Sequence, residues 1–459
     1  MLNLPTNPRP TATPSPIASA STRSTPTRTL FSLPLALLTL SALLAAGCGS
    51  KTPPSSDDPA TIATHEIPSD SETTFERQAY EASGDQLLAA RLDEAEAAAG
   101  WIRLFDGHTF FGWEIAGDAN WRIEDGTIVV DQGDPSLLCT SVPWMDYELT
   151  LEFNAEESTN SGVFLRTPLE VEDPATECYE VNIAGDDHPF PTGSVVQRQK
   201  VSEQVPAQAS EPWRTMHIRL EGNELQVTLD DQLVCEYTDD AALATGRIGL
   251  QHNEGRVAFR NLRLRPLGAK SLLDEELAQW KKYPEMKAEY TIDEKGVMQV
   301  QGGKGQLETR QSYDDFVLLA EYKLATPEVN SGIFFRSIPG LEMMGYECQL
   351  NDAMKEGSPL VPADCGTGGI FRRQDARFIA GEPNQWNTVV LVAQGAKIAA
   401  WVRGVQVSDW QDEREPNENP RRGQRLQAGT IMIQGHDPTT DVQFKRFEIA
   451  GAATANEVV

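Results

Sequence analysis

The segment Tyr346-Glu347-Cys348-Gln349 alternates in a way that sends Glu347 and Gln349 to one side of a strand and Tyr346 and Cys348 to the other. Asp352 follows three residues later. Upstream, Asn330-Ser331-Gly332-Ile333-Phe334-Phe335-Arg336 and Asp315-Phe316-Val317-Leu318-Leu319-Ala320-Glu321 place Arg336 and Glu321 at matching polar positions. A sheet face that carries Glu, Arg, Glu and an amide is either solvated surface or a ligand groove. As chemistry, carboxylates move protons, while guanidinium and amide groups hold developing negative charge. Asn330, Gln434 and His436 are candidates for the edge of such a groove.

The same set occurs earlier in the chain. Glu152, Asn160, Arg166, Glu180 and Asn182 hold corresponding places in Tyr147–Phe153, Asn160–Arg166 and Tyr179–Asn182, and Gln251-His252 corresponds to Gln434…His436. The matched segments are offset by about 170 to 185 residues, too long a period for a solenoid, so they mark two duplicated domains. The boundaries fall at 101–268 and 271–451. Asn-Ser-Gly also fits a turn feeding a strand, with the glycine supplying an unusual backbone angle.

Other chemistries lack their residues. There is no Gly-x-Ser-x-Gly elbow, no His-Glu-x-x-His and no phosphate-cradling loop. Gly302-Gly303-Lys304-Gly305 reads as a β-turn. No cysteine pair has the spacing of a zinc or thioredoxin-like site. The paired carboxylates of a retaining glucanase are also missing. No cofactor is predicted. A carboxylate cluster can hold a divalent cation, but no spacing here demands one.

The elements that must position these residues are strands. Tyr147–Phe153 and Leu225–Leu229 alternate strictly, and Gly, Asp and Asn separate many short segments of this kind. That pattern predicts an all-β protein of sandwich or jelly-roll type. Residues 1–47 read as a secretory signal, with a basic start, an apolar run from Leu30 to Ala46, and Leu44-Ala45-Ala46-Gly47-Cys48 at its end. The small-small-Cys ending resembles a bacterial lipobox and implies a lipidated Cys48, hence export and a membrane anchor. Residues 48–100 read as a Pro-, Ser- and Thr-rich tether followed by a short helical segment.

Lys plus Arg number 39 against 68 Asp plus Glu, a formal charge of −29, which disfavours a nucleic-acid partner. Cys139, Cys178, Cys235, Cys348 and Cys365 remain after Cys48. Cys348 and Cys365 either pair or, like the rest, stay buried thiols. Oligomeric state is not legible.

The chain further resembles the 3-keto-disaccharide hydrolase domain family. The resemblance rests on Leu104-Phe105-Asp106-Gly107 with Gly112-Trp113, Trp121 with Asp125-Gly126, the two Asn-Ser-Gly…Arg segments, Glu347-x-Gln349-x-x-Asp352, Trp386-Asn387 and Phe259-Arg260-Asn261. It implies two tandem concanavalin A-like sandwiches acting on carbohydrate. It also implies removal of the C2 proton of a 3-keto sugar, followed by loss of the C1 oxygen. In that scheme Glu347 is the base, Asp352 or Glu321 the acid or orienter, and Arg336 and Gln349 hold the 3-keto oxygen or neighbouring hydroxyls. The first copy carries Asn182, Gly185 and Arg214 where the pattern has Gln, Asp and Asn, so the second copy is expected to hold the chemistry. The alternative is a non-catalytic carbohydrate-binding or scaffold protein.

Overall fold

In the computed structural model, residues 75–206 and 212–455 are described. The signal, Cys48 and most of the tether lie outside them. Two short helices come first, Gly84–Ala89 and Glu94–Ala98. Ser83 and Gln86 close a reciprocal capping box on the first, and Asp93 caps the second. Leu87 and Ala90 of this lead segment are buried in the core of the second sandwich.

The first sandwich packs one antiparallel sheet on another. The larger sheet runs in the order Gln232–Thr238, Glu224–Leu229, Arg214–Glu221, Tyr147–Ala155, Val257–Pro266, Thr127–Val130 and Arg122–Glu124. The smaller runs Trp113–Ala116, Ser136–Thr140, Arg247–His252, Asn160–Thr167 and Tyr179–Ala184. Alternation decides what lies between them. Tyr147, Leu149, Leu151 and Phe153 of one sheet meet Val163, Leu165, Val181 and Ile183 of the other.

The second sandwich repeats this plan, but its strands join into one 12-stranded sheet. The joint is the 20-residue strand Gly305–Leu324. Its first half pairs with Gly429–Gly435, and its second half pairs with Asn387–Gln394 and Asp441–Ala455. In the first sandwich the equivalent stretch is interrupted between Thr140 and Tyr147, where Pro143 lacks the N–H that a continuous strand needs.

The sandwiches are not separate bodies. In Phe316-Val317-Leu318-Leu319-Ala320 both faces are apolar, whereas the first copy has Glu148 and Thr150 outward. Val317, Leu319, Val390, Val392, Ala399 and Trp401 therefore join the core of the first sandwich. The Trp401 and Trp144 rings lie 5.5 Å apart. Arg377–Asp106 at 2.9 Å and Lys397–Glu114 at 2.7 Å flank the contact. Cys139, Cys178, Cys235, Cys348 and Cys365 are all buried and unpaired.

Candidate functional site

Five strand segments form the outward face of the second sandwich. They are Trp280–Lys282, the first half of Gly305–Leu324, Gly429–Gly435, Ser331–Ser337 and Tyr346–Leu350. Leu307, Ile433, Ile333, Phe335, Tyr346 and Cys348 point into the core. Period 2 then turns Gln306, Gln434, Gly332, Phe334, Glu347 and Gln349 outward.

Glu347 lies across the strand from Phe334, with its carboxyl folded over Gly332. A Cβ on Gly332 would stand 2.7 Å from Oε1 of Glu347. Gly332 has no positive φ, so it is a strand residue whose missing side chain makes room for the glutamate, not a turn glycine. Gly162 does the same for Glu180, at 3.1 Å from Oε1. Burial pushes the Glu347 carboxyl up to about 7, with Asp364 reinforcing the shift and Arg421 and Arg372 opposing it. Burial alone pushes Glu180 up to about 7.

Amides line the face beside Glu347. Gln349 Nε2 donates to Asp364 Oδ2 at 3.2 Å, and Asn330 Nδ2 donates to the same oxygen at 3.1 Å. Gln349 Oε1 and Gln434 Oε1 are buried without hydrogen-bond partners, while the Gln306 side chain bonds the Tyr283 hydroxyl. Of these residues Gln434 reaches the lining of a cavity. A cavity of about 270 Å³ is lined by Glu347, Phe371, Arg372, Arg373 and Arg421. Another, of about 370 Å³, is lined by Lys304, Glu342, Met343, Arg421, Gln434 and His436, with Lys304 and Glu342 paired. Arg421 borders both. His436 is partly exposed, with Nδ1 2.9 Å from Asp437.

Several candidates lie elsewhere. Arg336 is buried, and a bulge between Phe334 and Ser337 turns it off the strand's polar face. Its guanidinium donates to the carbonyls of Asp314 at 2.8 Å and Gly395 at 2.7 Å, and to Asp315 at 2.9 Å. Arg166 makes the matching clamp on Met145, Gly222 and Asp146. Both have positive φ, and both tie a turn to a strand end, so neither faces a ligand. Asp352 lies past the strand end with its carboxyl inward, 2.6 Å from Thr367 Oγ1 and 3.4 Å from the Tyr322 hydroxyl. Glu321 shares its face with Val317 and Leu319, on the side that meets the first sandwich, and pairs with Lys445 at 2.8 Å. Glu152 is its counterpart, paired with Arg260 at 2.7 Å. Glu321 and Glu152 point out of their strands, but from the layer of each sandwich opposite the one that carries Glu347 and Glu180.

In the first sandwich Asn182 is buried and donates to the carbonyl of Phe190 in a short loop. Asn160 starts the strand that Glu180 crosses, and its carbonyl accepts from Glu254 at 3.0 Å. Pairing with Leu137 makes Gln251 the equivalent of Gln434, which pairs with Gln306. His252 then matches Gly435 and is buried at the strand end, away from the outward face. The outward patch here is apolar, built of Leu137, Cys139, Phe164 and Cys178. Among the described residues no group of three or more His, Cys, Asp or Glu could hold a metal ion.

Asp364, Arg372, Arg373, Arg421, Lys304 and Gln306 were not foreseen. Their signal was faint: the pairs Arg372-Arg373 and Arg421-Arg422 in Gly- and Pro-flanked loops of an acidic chain.

The family model described as the 3-keto-alpha-glucoside-1,2-lyase-like domain matches residues 100–265 and again 268–450. A 3-keto-disaccharide hydrolase of Bacteroides thetaiotaomicron is 33% identical over 93 residues. That match covers 17% of this chain and 32% of the relative, so the chain spans about a third of that protein's length. Among solved structures, a Parabacteroides distasonis protein provisionally classed as a glycosyl hydrolase is 18% identical, with a TM-score of 0.34, covering 39% of this chain and 98% of its own. The carbohydrate-binding module CBM66 of Bacillus subtilis is 19% identical, with a TM-score of 0.26, covering 34% and 95%.

Proposed function

The chain belongs to the 3-keto-alpha-glucoside-1,2-lyase-like family, a glycosyl hydrolase-like family of carbohydrate-active domains, and from that premise we propose that its second sandwich cleaves 3-keto-glycosides. The observation that carries the proposal is Glu347. It is a half-buried residue whose carboxyl is raised to about 7, held over Gly332, on a face that also carries Gln349 and Gln434 beside cationic loops.

A ketone at C3 acidifies the C2 hydrogen. Glu347 removes that proton, and the electron pair passes into the enolate. Arg372 and Arg421 supply the positive field that lowers the enolate's energy. The enolate then expels the C1 oxygen, and protonated Glu347 returns its proton to the leaving group. Addition of water across the resulting double bond completes a net hydrolysis. A base near pKa 7 is half ionised at neutral pH, which suits proton transfer in both directions. Gln434, at the lining of the neighbouring cavity, would bind a sugar hydroxyl.

The second reading, a carbohydrate-binding protein without turnover, fits the apolar outward patch of the first sandwich. The N-terminal pattern supports export and anchoring through a lipidated Cys48. The test of function is release of monosaccharide from a 3-keto-disaccharide by the full chain and by its Glu347→Gln variant. Release by the full chain and its loss in the variant are expected. No release by the full chain, or undiminished release by the variant, would sink the reading.

A further inference from the structure

The two copies differ in the charge around Glu347 and its counterpart Glu180. In the first sandwich Tyr179 donates its hydroxyl to Asp239, and Arg198 pairs with the same carboxylate at 3.2 Å while stacking on Tyr179. The equivalent pair in the second sandwich is Tyr346 and Asp412, joined at 2.6 Å. The equivalent arginine is Arg373, since Val195–Gln199 and Ile370–Gln374 make the same backbone turn. Asp412 is already taken. Arg414 binds both of its oxygens at 2.7 Å. Arg373 is therefore released from its carboxylate and donates only to the backbone carbonyls of Arg372 and Arg421.

Arg414 belongs to a loop that the first copy lacks. The connection from Asp239 to Gly246 is short, while that from Asp412 to Gly429 is much longer. The longer loop also carries Arg421, whose guanidinium donates to the carbonyl of Met343 at 2.6 Å. Arg372 stands beside them, over the Phe371 ring, where the first copy has Gln197 with the same positive φ. Among the described residues, no carboxylate forms an ion pair with Arg372, Arg373 or Arg421. All three line the cavity that holds Glu347. In a chain of charge −29, three guanidiniums without a carboxylate ion pair converge on the cavity of Glu347: Arg373 is half-buried, and Arg372 and Arg421 are exposed at its rim. They exceed what a single enolate needs.

We propose that this cavity takes an acidic saccharide, one whose sugar bears a carboxylate such as a uronate, and that Arg372, Arg373 and Arg421 bind that group. The proposal rests on Glu347 marking the saccharide site. Guanidinium is suited to it, because its planar fork grips a carboxylate through two hydrogen bonds.

The test separates charge preference from turnover. Binding of a neutral disaccharide and of its uronate-containing analogue is measured calorimetrically on the full-length Glu347→Gln protein, which holds ligand without consuming it. The uronate analogue should bind roughly tenfold or more tightly. The preference should largely vanish in Arg373→Gln and Arg421→Gln and survive in Arg421→Lys. Circular dichroism checks that each variant is folded. Equal affinities, absence of binding by both sugars, or a preference untouched by both glutamine substitutions overturns the proposal. Turnover is assayed independently on 3-keto forms of the two sugars. Cleavage without charge preference sinks only this inference. Charge-selective binding without cleavage sinks only the hydrolase reading.

Discussion

Gly332 and Glu347 are coupled across neighbouring strands: a Cβ on the glycine would stand 2.7 Å from the glutamate's Oε1 and 3.0 Å from its Cγ. The glycine is therefore part of the site, although it carries no chemistry. Its absence of a side chain lets a carboxyl lie flat on the sheet, where burial raises its pKa.

Gly332→Ala should displace that carboxyl without breaking the strand. Turnover is expected to fall by about tenfold or more, since a small misplacement of a reacting group is costly. The thermal midpoint should move by only a few degrees. Wild-type kcat in Gly332→Ala would show that the carboxyl's seat over the glycine is unimportant.

Glu347→Gln should lower kcat by roughly 10²–10⁴-fold, the usual contribution of a positioned base. Far-ultraviolet circular dichroism should be unchanged, because the side chain points away from the inter-sheet core. Glu180→Gln should cost much less, since no unpaired guanidinium accompanies Glu180.

The rate should follow the base's ionisation. With Glu347 near 7, kcat/KM is expected to rise about tenfold per pH unit below that value and to level off above it. Arg421 pulls the carboxyl down, so Arg421→Gln should move the midpoint to higher pH. A profile flat between pH 5 and 8 contradicts Glu347 as the base.

Buried Asp352 supplies a stability test with a definite sign. Its carboxyl rises from 3.8 to about 6 on folding, mainly through burial. The folded state thus keeps a proton that the unfolded chain releases in that window. Stability falls as pH rises through it. Asp352→Asn removes the penalty, so its thermal midpoint should drop less than that of the wild type between pH 4 and pH 7. Parallel curves would place the Asp352 proton elsewhere.

Arg336 is expected to act on stability. Arg336→Met removes a buried charge and its bonds to Asp314, Gly395 and Asp315, and should cost about 3 kcal/mol. Thermal unfolding measures this, and the KM of the surviving folded fraction should be unchanged. A raised KM with an unaltered midpoint would return Arg336 to the groove.

Much was legible in the residues themselves, because strand alternation is local and has a fixed period. Tyr346-Glu347-Cys348-Gln349 announces which side chains share a face, and the paired Asn-Ser-Gly…Arg segments announce the duplication. Alternation does not say which sheet a face belongs to. Glu321 has the expected parity, yet it lies in the layer of the sandwich opposite Glu347, since pairing partners are set by contacts distant in sequence. A bulge was equally invisible, and it carried Arg336 and Arg166 off the face that a strict period assigns them. The loop residues that surround Glu347 follow no period at all. Asp364, Arg372, Arg373 and Arg421 converge only because separate connections close over the same strands. Whether each arginine finds a carboxylate depends on that closure, as the capture of Asp412 by Arg414 makes plain. Local repetition fixes the direction of a side chain, while three-dimensional packing fixes what it meets.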